Sequence, residues 1–182
     1  MSTLVQYGDA IGVCRDIFLR KTADYGTSWR VLRTVSVADQ IFIKAQRIRT
    51  IQERGERRVA DPISAEFIGI ANYSIIGLMQ LELGSPRVEE LGLDTVQVLW
   101  DRQVDAALSL MRDKNHDYGE AWRDMSQESL ADLILVKVLR IRQILANDGR
   151  TIASEGVDAN FTDILNYSVF ALILIGEGRH RS

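Results

Sequence analysis

A motif that combines two cations, one acid and two aromatic residues occurs twice in this chain, in the form KxxDYGxxWR. Lysine and arginine can hold a phosphate, tyrosine and tryptophan can stack on a base, and aspartate can position a metal ion or accept a proton. The motif therefore predicts a ligand site. Its members are Lys21, Asp24, Tyr25, Trp29 and Arg30 in the first copy and Lys114, Asp117, Tyr118, Trp122 and Arg123 in the second.

The same motif can also serve structure alone. In that interpretation the aspartate caps the next segment, the glycine permits a bend, the tryptophan fills the core and the arginine pairs with the aspartate. Both copies keep the charged and the aromatic residues, which fits either interpretation, so both stay open.

Two cations interrupt each of two largely apolar segments. Lys44 and Arg47 are three residues apart, as are Lys137 and Arg140, and residues at this spacing share a helix face. Because an unpaired charge is costly to bury, these cations should face a cavity, a carboxylate or a bound anion. The alternative is that they extend to solvent or form internal ion pairs, and both interpretations stay open.

Polar residues also recur on the last apolar segment of each copy. The aligned sets are Glu66, Gly69, Asn72 and Tyr73 in the first copy and Asn160, Asp163, Asn166 and Tyr167 in the second. Each copy thus keeps one carboxylate where a helical metal site would need two. The twinned Asn-Tyr pairs can instead form a buried polar network.

The repeat extends well beyond the motif. A shift of 93 residues carries Ala38-Asp39 onto Ala131-Asp132, and a shift of 94 carries Asn72-Tyr73-Ser74 onto Asn166-Tyr167-Ser168. Two units of this length do not form a solenoid array and indicate a fused dimer. We predict a first repeat at 1–84, a linker at 85–93 and a second repeat at 94–182, in one integrated domain with any site built where the copies meet.

Apolar periodicity predicts three helices in each repeat and no strands. The predicted helices are 3–21, 37–53 and 62–83 in the first repeat and 94–114, 130–146 and 155–177 in the second. Ser36, Asp94 and Ser129 are candidate N-caps, while Gly84 and Gly178 suit helix ends. The predicted fold is all-α, a pseudo-twofold helical bundle of two three-helix repeats.

The composition and the net charge of the chain argue against several functional classes. A net charge of −3 argues against strong attraction to nucleic acid, and the basic stretch from Arg47 to Arg58 is expected to be a solvated helix end. Cys14 lies in an apolar segment and is expected to be a buried structural thiol. The N-terminus lacks a signal-peptide pattern and the longest apolar stretch is too short to span a bilayer. We expect a cytoplasmic protein with no membrane partner.

The segments DYGTSWR, ADQIFIKAQRIRTIQE and EFIGIANYSIIGLMQLE resemble the nucleotide modification associated domain family of bacterial and phage proteins. The segments KNHDYGEAWRDM, ADLILVKVLRIRQIL and EGVDANFTDILNYSVFALI resemble the same domain a second time. The resemblance covers nearly the whole chain. Because the family name reflects an association with phage base modification, it implies a role in handling nucleotides or modified DNA.

A more remote likeness is to the MazG-type all-α nucleotide pyrophosphatases, which bind magnesium through acidic ExxE and ExxD pairs on two helices. This likeness implies Mg²⁺ as a candidate cofactor and Glu66 and Asp163 as candidate metal ligands. The second helix of each repeat departs from the pattern, since Lys44 and Lys137 stand roughly where acidic ligands are expected. Cations at these positions suit a phosphate better than a metal ion.

The sequence supports three functional hypotheses. In the first, the motif cations together with Lys44, Arg47, Lys137 and Arg140 hold the phosphate of a nucleotide between aromatic walls, and Asp24, Asp117 and Asp163 position metal or water for hydrolysis. In the second, the chain is a non-catalytic module that binds nucleic acid or a protein partner. In the third, the repeated motifs are purely architectural. A homodimer is the candidate assembly.

Overall fold

A computed structural model describes residues 1–55, 57–152 and 154–182, and in these parts of the chain every regular element is helical. The helices are α1 (Thr3–Tyr25), α2 (Thr34–Arg54), α3 (Ile63–Leu83), α4 (Leu93–Tyr118), α5 (Gln127–Ala146) and α6 (Val157–Gly176). Two short 3-10 turns, Ser28–Val31 and Ala121–Asp124, follow α1 and α4. The predicted all-α fold with three helices in each repeat is confirmed.

Four helices form the centre of the bundle. The helices α3 and α6 pack against each other, α2 packs on α3, α5 packs on α6, and α2 and α5 close the layer. The helices α1 and α4 each lie across both α3 and α6. Exchanging the two repeats reproduces this pattern of neighbours, which is the pseudo-twofold arrangement expected of a fused dimer.

Ion pairs between α2 and α5 show the same pseudo-twofold relation at the level of single residues. Arg142 donates to Asp39 across 2.7 Å, and the equivalent atoms of Arg49 and Asp132 lie 3.7 Å apart. Each pair joins one repeat to the other, and each is the image of the other under the 93-residue shift. In a symmetric dimer a contact between two positions is made twice in this way.

The helix α6 is long and apolar enough by length and composition to cross a membrane, but most of it is buried in this bundle. Its apolar side chains contact α3 and α5, and a Cβ atom at Gly77 of α3 would lie 2.8 Å from the ring of Phe161. The glycine therefore permits the close approach of α3 and α6.

The first helix of each repeat is longer than predicted. The helix α1 ends at Tyr25 and α4 at Tyr118, so the aspartate and tyrosine of the DYG sequence belong to the last helical turn and not to a loop. Gly26 and Gly119, with φ of 63° and 64°, then end the helices, because glycine adopts positive φ at low cost.

Several predicted caps are displaced by a few residues. The side chain of Ser126, and not that of Ser129, caps α5, while α2 begins after Arg33 instead of Ser36. The helix α4 begins after Gly92, so Asp94 lies inside its first turn, where its charge favours the helix dipole. Gly84 ends α3 as predicted, whereas Gly178 lies beyond the end of α6.

Buried asparagines tie the last helix of each repeat to the first. The Nδ2 of Asn72 donates to the Cys14 carbonyl at 3.0 Å, and that of Asn166 donates to the Ala107 carbonyl at 3.2 Å. These contacts are equivalent in the two repeats and confirm the polar-network interpretation for the asparagines. The thiol of Cys14 is buried, which raises its pKa to about 12, and a thiol with so high a pKa is not a nucleophile at neutral pH.

The two asparagine sites differ in their second hydrogen bond. The hydroxyl of Tyr7 donates to Asn166 Oδ1 at 2.7 Å. The equivalent of Tyr7 is Trp100, and both its Nε1 and the Oδ1 of Asn72 are buried without a protein partner among the described residues. Only the Asn166 site therefore has a complete network, in which Tyr7 comes from the first repeat.

We predict that Asn166→Ala lowers the free energy of unfolding by about 1–3 kcal/mol more than Asn72→Ala, because only the former leaves a buried hydroxyl without its acceptor. Urea denaturation of the two variants measures the difference. The control, Tyr7→Phe combined with Asn166→Ala, should recover part of the loss because the orphaned hydroxyl is gone. Equal losses for the two single variants would contradict the prediction.

Candidate functional site

A cavity of about 780 Å³ lies within the first repeat, between α1, the first 3-10 turn, α2 and α3. It brings together four residues predicted to bind a ligand: Lys21, Tyr25, Trp29 and Lys44. Lys21, Tyr25 and Trp29 of the first motif thus share one space with Lys44 of α2, whereas the motif residues Asp24 and Arg30 do not line it. Residues of α3 complete the wall, and Tyr73 adds a third polar aromatic ring.

The two lysines of this cavity are the cations that a ligand would meet. The Nζ of Lys44 lies 6.0 Å from the ring centroid of Tyr73 and 3.6 Å from Oε2 of Glu66. Lys21 is exposed, and within the described residues its ammonium group has no carboxylate partner. The positive charge of Lys21 is therefore available to an anion from solution.

Glu66 is engaged mainly by a different cation. Arg47 donates to Glu66 Oε1 at 2.8 Å and also to the carbonyls of Val59 and Asp61, at 3.2 and 2.9 Å. These contacts use both terminal nitrogens of the guanidinium. Arg47 is thus the internal ion pair of the alternative interpretation and does not line the cavity.

The two equivalent lysines of the second repeat both bind one aspartate. Asp163 accepts from Lys114 at 2.9 Å on Oδ1 and from Lys137 at 2.8 Å on Oδ2. The carboxylate is buried, with 6% of its residue surface exposed. Burial alone would raise the pKa of Asp163, but the hydrogen bonds and charges of the two lysines outweigh it and lower the pKa below its ordinary value.

Gly69 is the position in the first repeat that aligns with Asp163. A Cβ atom there would lie 2.9 Å from Cδ and Cε of Lys44, so the lysine stem occupies the space that a side chain would need. The first repeat therefore has the same two lysines as the second but lacks the carboxylate that binds them. The lysine pair of the first repeat therefore lines a cavity, whereas the lysine pair of the second repeat is bound to an aspartate.

A second difference between the repeats lies one turn earlier on the last helix, where Glu66 of the first repeat aligns with Asn160 of the second. Asn160 replaces the glutamate that holds Arg47 in the first repeat, and its Nδ2 donates to the Gly156 carbonyl at 2.8 Å. Arg140, the equivalent of Arg47, has no ion pair or hydrogen bond to any residue that the structure describes. A second cavity of about 670 Å³ is lined by Arg140, Lys137, Asn160 and several described residues between α5 and α6.

The motif arginines belong to the scaffold and line neither cavity. Arg30 is 1% exposed and donates to Glu89 at 2.8 Å, to the Ser85 carbonyl at 3.0 Å and to Gln80. It therefore fastens the turn after α1 to the segment between the repeats. The prediction that Arg30 binds an anion is not met, because internal acceptors already surround its guanidinium.

Arg123 makes the equivalent connection in the second repeat. It donates to Glu120 at 3.1 Å, to Glu177 at 3.0 Å and to Thr3 and Gln6 at the start of α1. Arg30 and Arg123 thus fulfil the structural interpretation of the motif, with glutamates as partners instead of the motif aspartate. Each joins its turn to a segment of the other repeat or to the junction between them.

The motif aspartates are not brought to either cavity. Asp24 and Asp117 lie on the last turns of α1 and α4 with exposed side chains, and the contact of Asp117 is with His116 at 3.1 Å. Because both helices continue through the DYG sequence, these carboxylates face solvent. The geometry gives them no position from which to act on a ligand in the cavities.

The two aromatic residues of the second motif lie in different environments. Trp122 stacks on Phe170 with ring centroids 4.2 Å apart and fills the core, while Tyr118 is 75% exposed. Neither lines the second cavity. The second motif thus serves structure, and no aromatic ring is among the described residues that line the second cavity.

The candidate magnesium ligands do not form a metal site. Glu66 and Asp163 belong to different repeats, and each forms ion pairs with two cations. Among the described residues no three acidic, histidine or cysteine side chains cluster as a metal would require. Each cavity is also lined by residues of one repeat, so the predicted pocket between the copies is not met.

One signal in the sequence could have located these sites more directly. The chain contains only four lysines among its 22 basic residues, and they are Lys21, Lys44, Lys114 and Lys137. All four occupy the two equivalent lysine pairs, while every other cation is arginine. Lysine presents a compact point charge where arginine presents a planar fork, so these four positions differ chemically from every other cationic position of the chain.

The chain is thus an all-α tandem repeat in which the first copy has a cavity lined by two lysines, and the two equivalent lysines of the second copy share one carboxylate. The chain belongs to the family described as Nucleotide modification associated domain 1, whose model matches residues 21–81 and again 114–175. Each match begins at the motif lysine and ends within or next to the last helix of its repeat. No curated protein and no solved structure matches the chain significantly.

We predict that Asp163→Asn lowers the free energy of unfolding at pH 7 by about 2 kcal/mol, because two lysines lose their shared counter-charge. The value is below that of a fully buried pair since Lys114 is half exposed. The folded-state pKa of Asp163 is lowered, so its stabilisation is present above about pH 4 and disappears as pH falls through the folded pKa.

Denaturation curves between pH 3 and pH 7 measure this effect. The difference between wild type and Asp163→Asn should therefore shrink in acid. Asp117→Asn is the control, since that carboxylate is exposed and should contribute little at any pH. A difference that stays constant with pH would contradict the assigned ion-pair cluster.

Proposed function

We propose that this protein binds a small phosphate-bearing molecule of the nucleotide class in the cavity of the first repeat. Lys21 and Lys44 hold the phosphate, and Trp29, Tyr25 and Tyr73 form the wall against which the base lies. The observation that carries the proposal is the exchange of Asp163 for Gly69, which leaves an equivalent lysine pair without its carboxylate.

The second repeat supplies the geometric template for the anion. There the two ammonium groups bind the two different oxygens of one carboxylate, at 2.9 and 2.8 Å. A phosphate offers the same arrangement of two oxygens on one central atom, and charge-assisted hydrogen bonds of this kind are among the strongest that proteins form. The ligand's phosphate would join Lys21 and Lys44 as the carboxylate of Asp163 joins Lys114 and Lys137.

The geometry supports binding better than hydrolysis. Of the three aspartates proposed for catalysis, none lines the first cavity. The carboxylates that do line it are Glu66, which is engaged by Arg47 and Lys44, and the exposed Asp61. A general base must be free to accept a proton from the attacking water, and an ion-paired glutamate is poorly suited to that role.

The first test compares nucleotides with their phosphate-free nucleosides by thermal shift and calorimetry, with and without magnesium. At a nucleotide concentration one hundred times the dissociation constant, about 2.7 kcal/mol of stabilisation is expected, which corresponds to a rise in Tm of about 5–10 °C. The nucleoside should give a much smaller rise, since it lacks the anion.

The combined variant Lys21→Ala and Lys44→Ala should lose at least tenfold in nucleotide affinity. Arg20→Ala is the matched control, because Arg20 neighbours Lys21 in sequence but does not line the cavity. Unchanged affinity in the double lysine variant, or no saturable binding of any nucleotide to the wild type, would refute the proposal.

Gly69→Asp should close the first cavity by supplying the missing carboxylate. The flexible end of Lys44 must shift to admit the side chain, after which the lysines gain an internal partner as in the second repeat. We expect a folded protein with a Tm no lower than that of the wild type and with nucleotide binding abolished. A folded Gly69→Asp protein that binds nucleotide normally would show that the lysine pair is not the phosphate site.

The scarcity of lysine allows the site to be mapped directly. Reductive methylation with ¹³C-labelled formaldehyde keeps the positive charge and labels the four lysines and the N-terminal amine. Nucleotide should shift the two signals that disappear in Lys21→Arg and Lys44→Arg, and should leave those of Lys114 and Lys137 in place. Uniform small shifts of all signals would indicate non-specific screening instead.

A further inference from the structure

We infer that the second repeat carries its own oxyanion site, centred on Arg140 and suited to a phosphate group without an attached base. This site goes beyond the proposed function, because it uses different cations, a different cavity and the other copy of the repeat. It occupies the cavity of about 670 Å³ beside the connection between α5 and α6.

The equivalent arginines of the two repeats differ in their partners. In the first repeat Arg47 is satisfied by Glu66 and by two backbone carbonyls. In the second repeat the glutamate is replaced by Asn160, and Arg140 has no partner among the described residues. The guanidinium keeps its charge and all its donors, and it lines a cavity into which an anion can enter.

The other polar groups of the cavity are mostly neutral donors and acceptors. Its lining includes Asn147, Thr151 and Ser154, with Arg150 as a second cation. Arg150 is exposed and pairs loosely with Asp148 at 3.4 Å. Lys137 also borders this cavity, but its ammonium group is already bound to Asp163. The guanidinium groups are therefore the cations that remain for a ligand, with Glu155 as the one acid of the lining.

The character of the walls limits the class of ligand. No aromatic residue is among the described residues that line this cavity, whereas the first cavity has four aromatic side chains. Amide and hydroxyl groups around a guanidinium match the oxygens of a phosphate, and nothing in the described lining offers a base a ring to stack on. The two cavities thus favour different ligands, a nucleotide in the first and a phosphate or pyrophosphate in the second.

The experiment uses the full chain with Lys21→Ala and Lys44→Ala, so that the first cavity no longer contributes. Pyrophosphate and inorganic phosphate are titrated by calorimetry at constant ionic strength, with chloride replacing the anion in the blank. We expect saturable binding with one site per chain. Adding Arg140→Ala should weaken it at least tenfold, while adding Arg112→Ala, an exposed arginine of α4 outside both cavities, should leave it unchanged.

Asn160→Glu provides an independent variant, because it restores to Arg140 the carboxylate that Arg47 has in the first repeat. Binding of pyrophosphate should be lost while the thermal unfolding transition stays cooperative. The inference is overturned if the background protein shows no saturable binding, or if Arg140→Ala and Asn160→Glu both bind as before. Failure of nucleotide binding at the lysine pair leaves these outcomes unaffected, so the two proposals fail independently.

Discussion

The structure depends on neutralising cations that lie within largely apolar helices. Lys44 and Arg47 on α2 occupy positions equivalent to Lys137 and Arg140 on α5. Three of these cations are partly buried and need partners, whereas Arg140 is exposed. Each repeat provides one internal carboxylate from its last helix for this purpose. Because one carboxylate cannot satisfy all the cations of a repeat, some positive charge remains directed at a cavity.

The position of that single carboxylate decides which cation remains. Glu66 holds Arg47, and the lysines of the first repeat are left with one long contact at 3.6 Å. Asp163, three positions later in the repeat alignment, holds both lysines of the second repeat and leaves the arginine. The repeats therefore have the same count of internal acids and cations but expose chemically different groups.

Much of the fold could be predicted from the sequence, because each helical pattern occurs once in each repeat and the two copies support the same assignment. The long apolar segments with cations three residues apart identified α2 and α5, and Gly84 marked the end of α3. The ends of α1 and α4 were misplaced because a DYG sequence reads as a turn, whereas both helices continue through its tyrosine. The side chains of Asp24 and Asp117 then face solvent, which periodicity could not show without the true end of the helix.

The candidate site was predictable only in part for a similar reason. Residue types pointed correctly to Lys21, Tyr25, Trp29 and Lys44 as neighbours, since the first repeat does gather them around one cavity. Residue types could not show that Arg30 donates hydrogen bonds to Gln80, Glu89 and the Ser85 carbonyl, because those partners come from distant parts of the chain. Nor could the alignment alone show that the stem of Lys44 packs closely against Gly69 at the wall of the cavity.

Fusion of the two copies is what permits the sites to differ. In a homodimer of identical chains every residue of the interface occurs twice, so a change from aspartate to glycine would open or close both lysine sites together. In the tandem chain the cross-repeat ion pairs and the turn arginines hold the scaffold in its pseudo-twofold form. Single positions on α3 and α6 can then change independently. The exchange of Glu66 and Gly69 for Asn160 and Asp163 keeps one internal acid in each repeat, so the specialisation of the two cavities requires no additional buried charge.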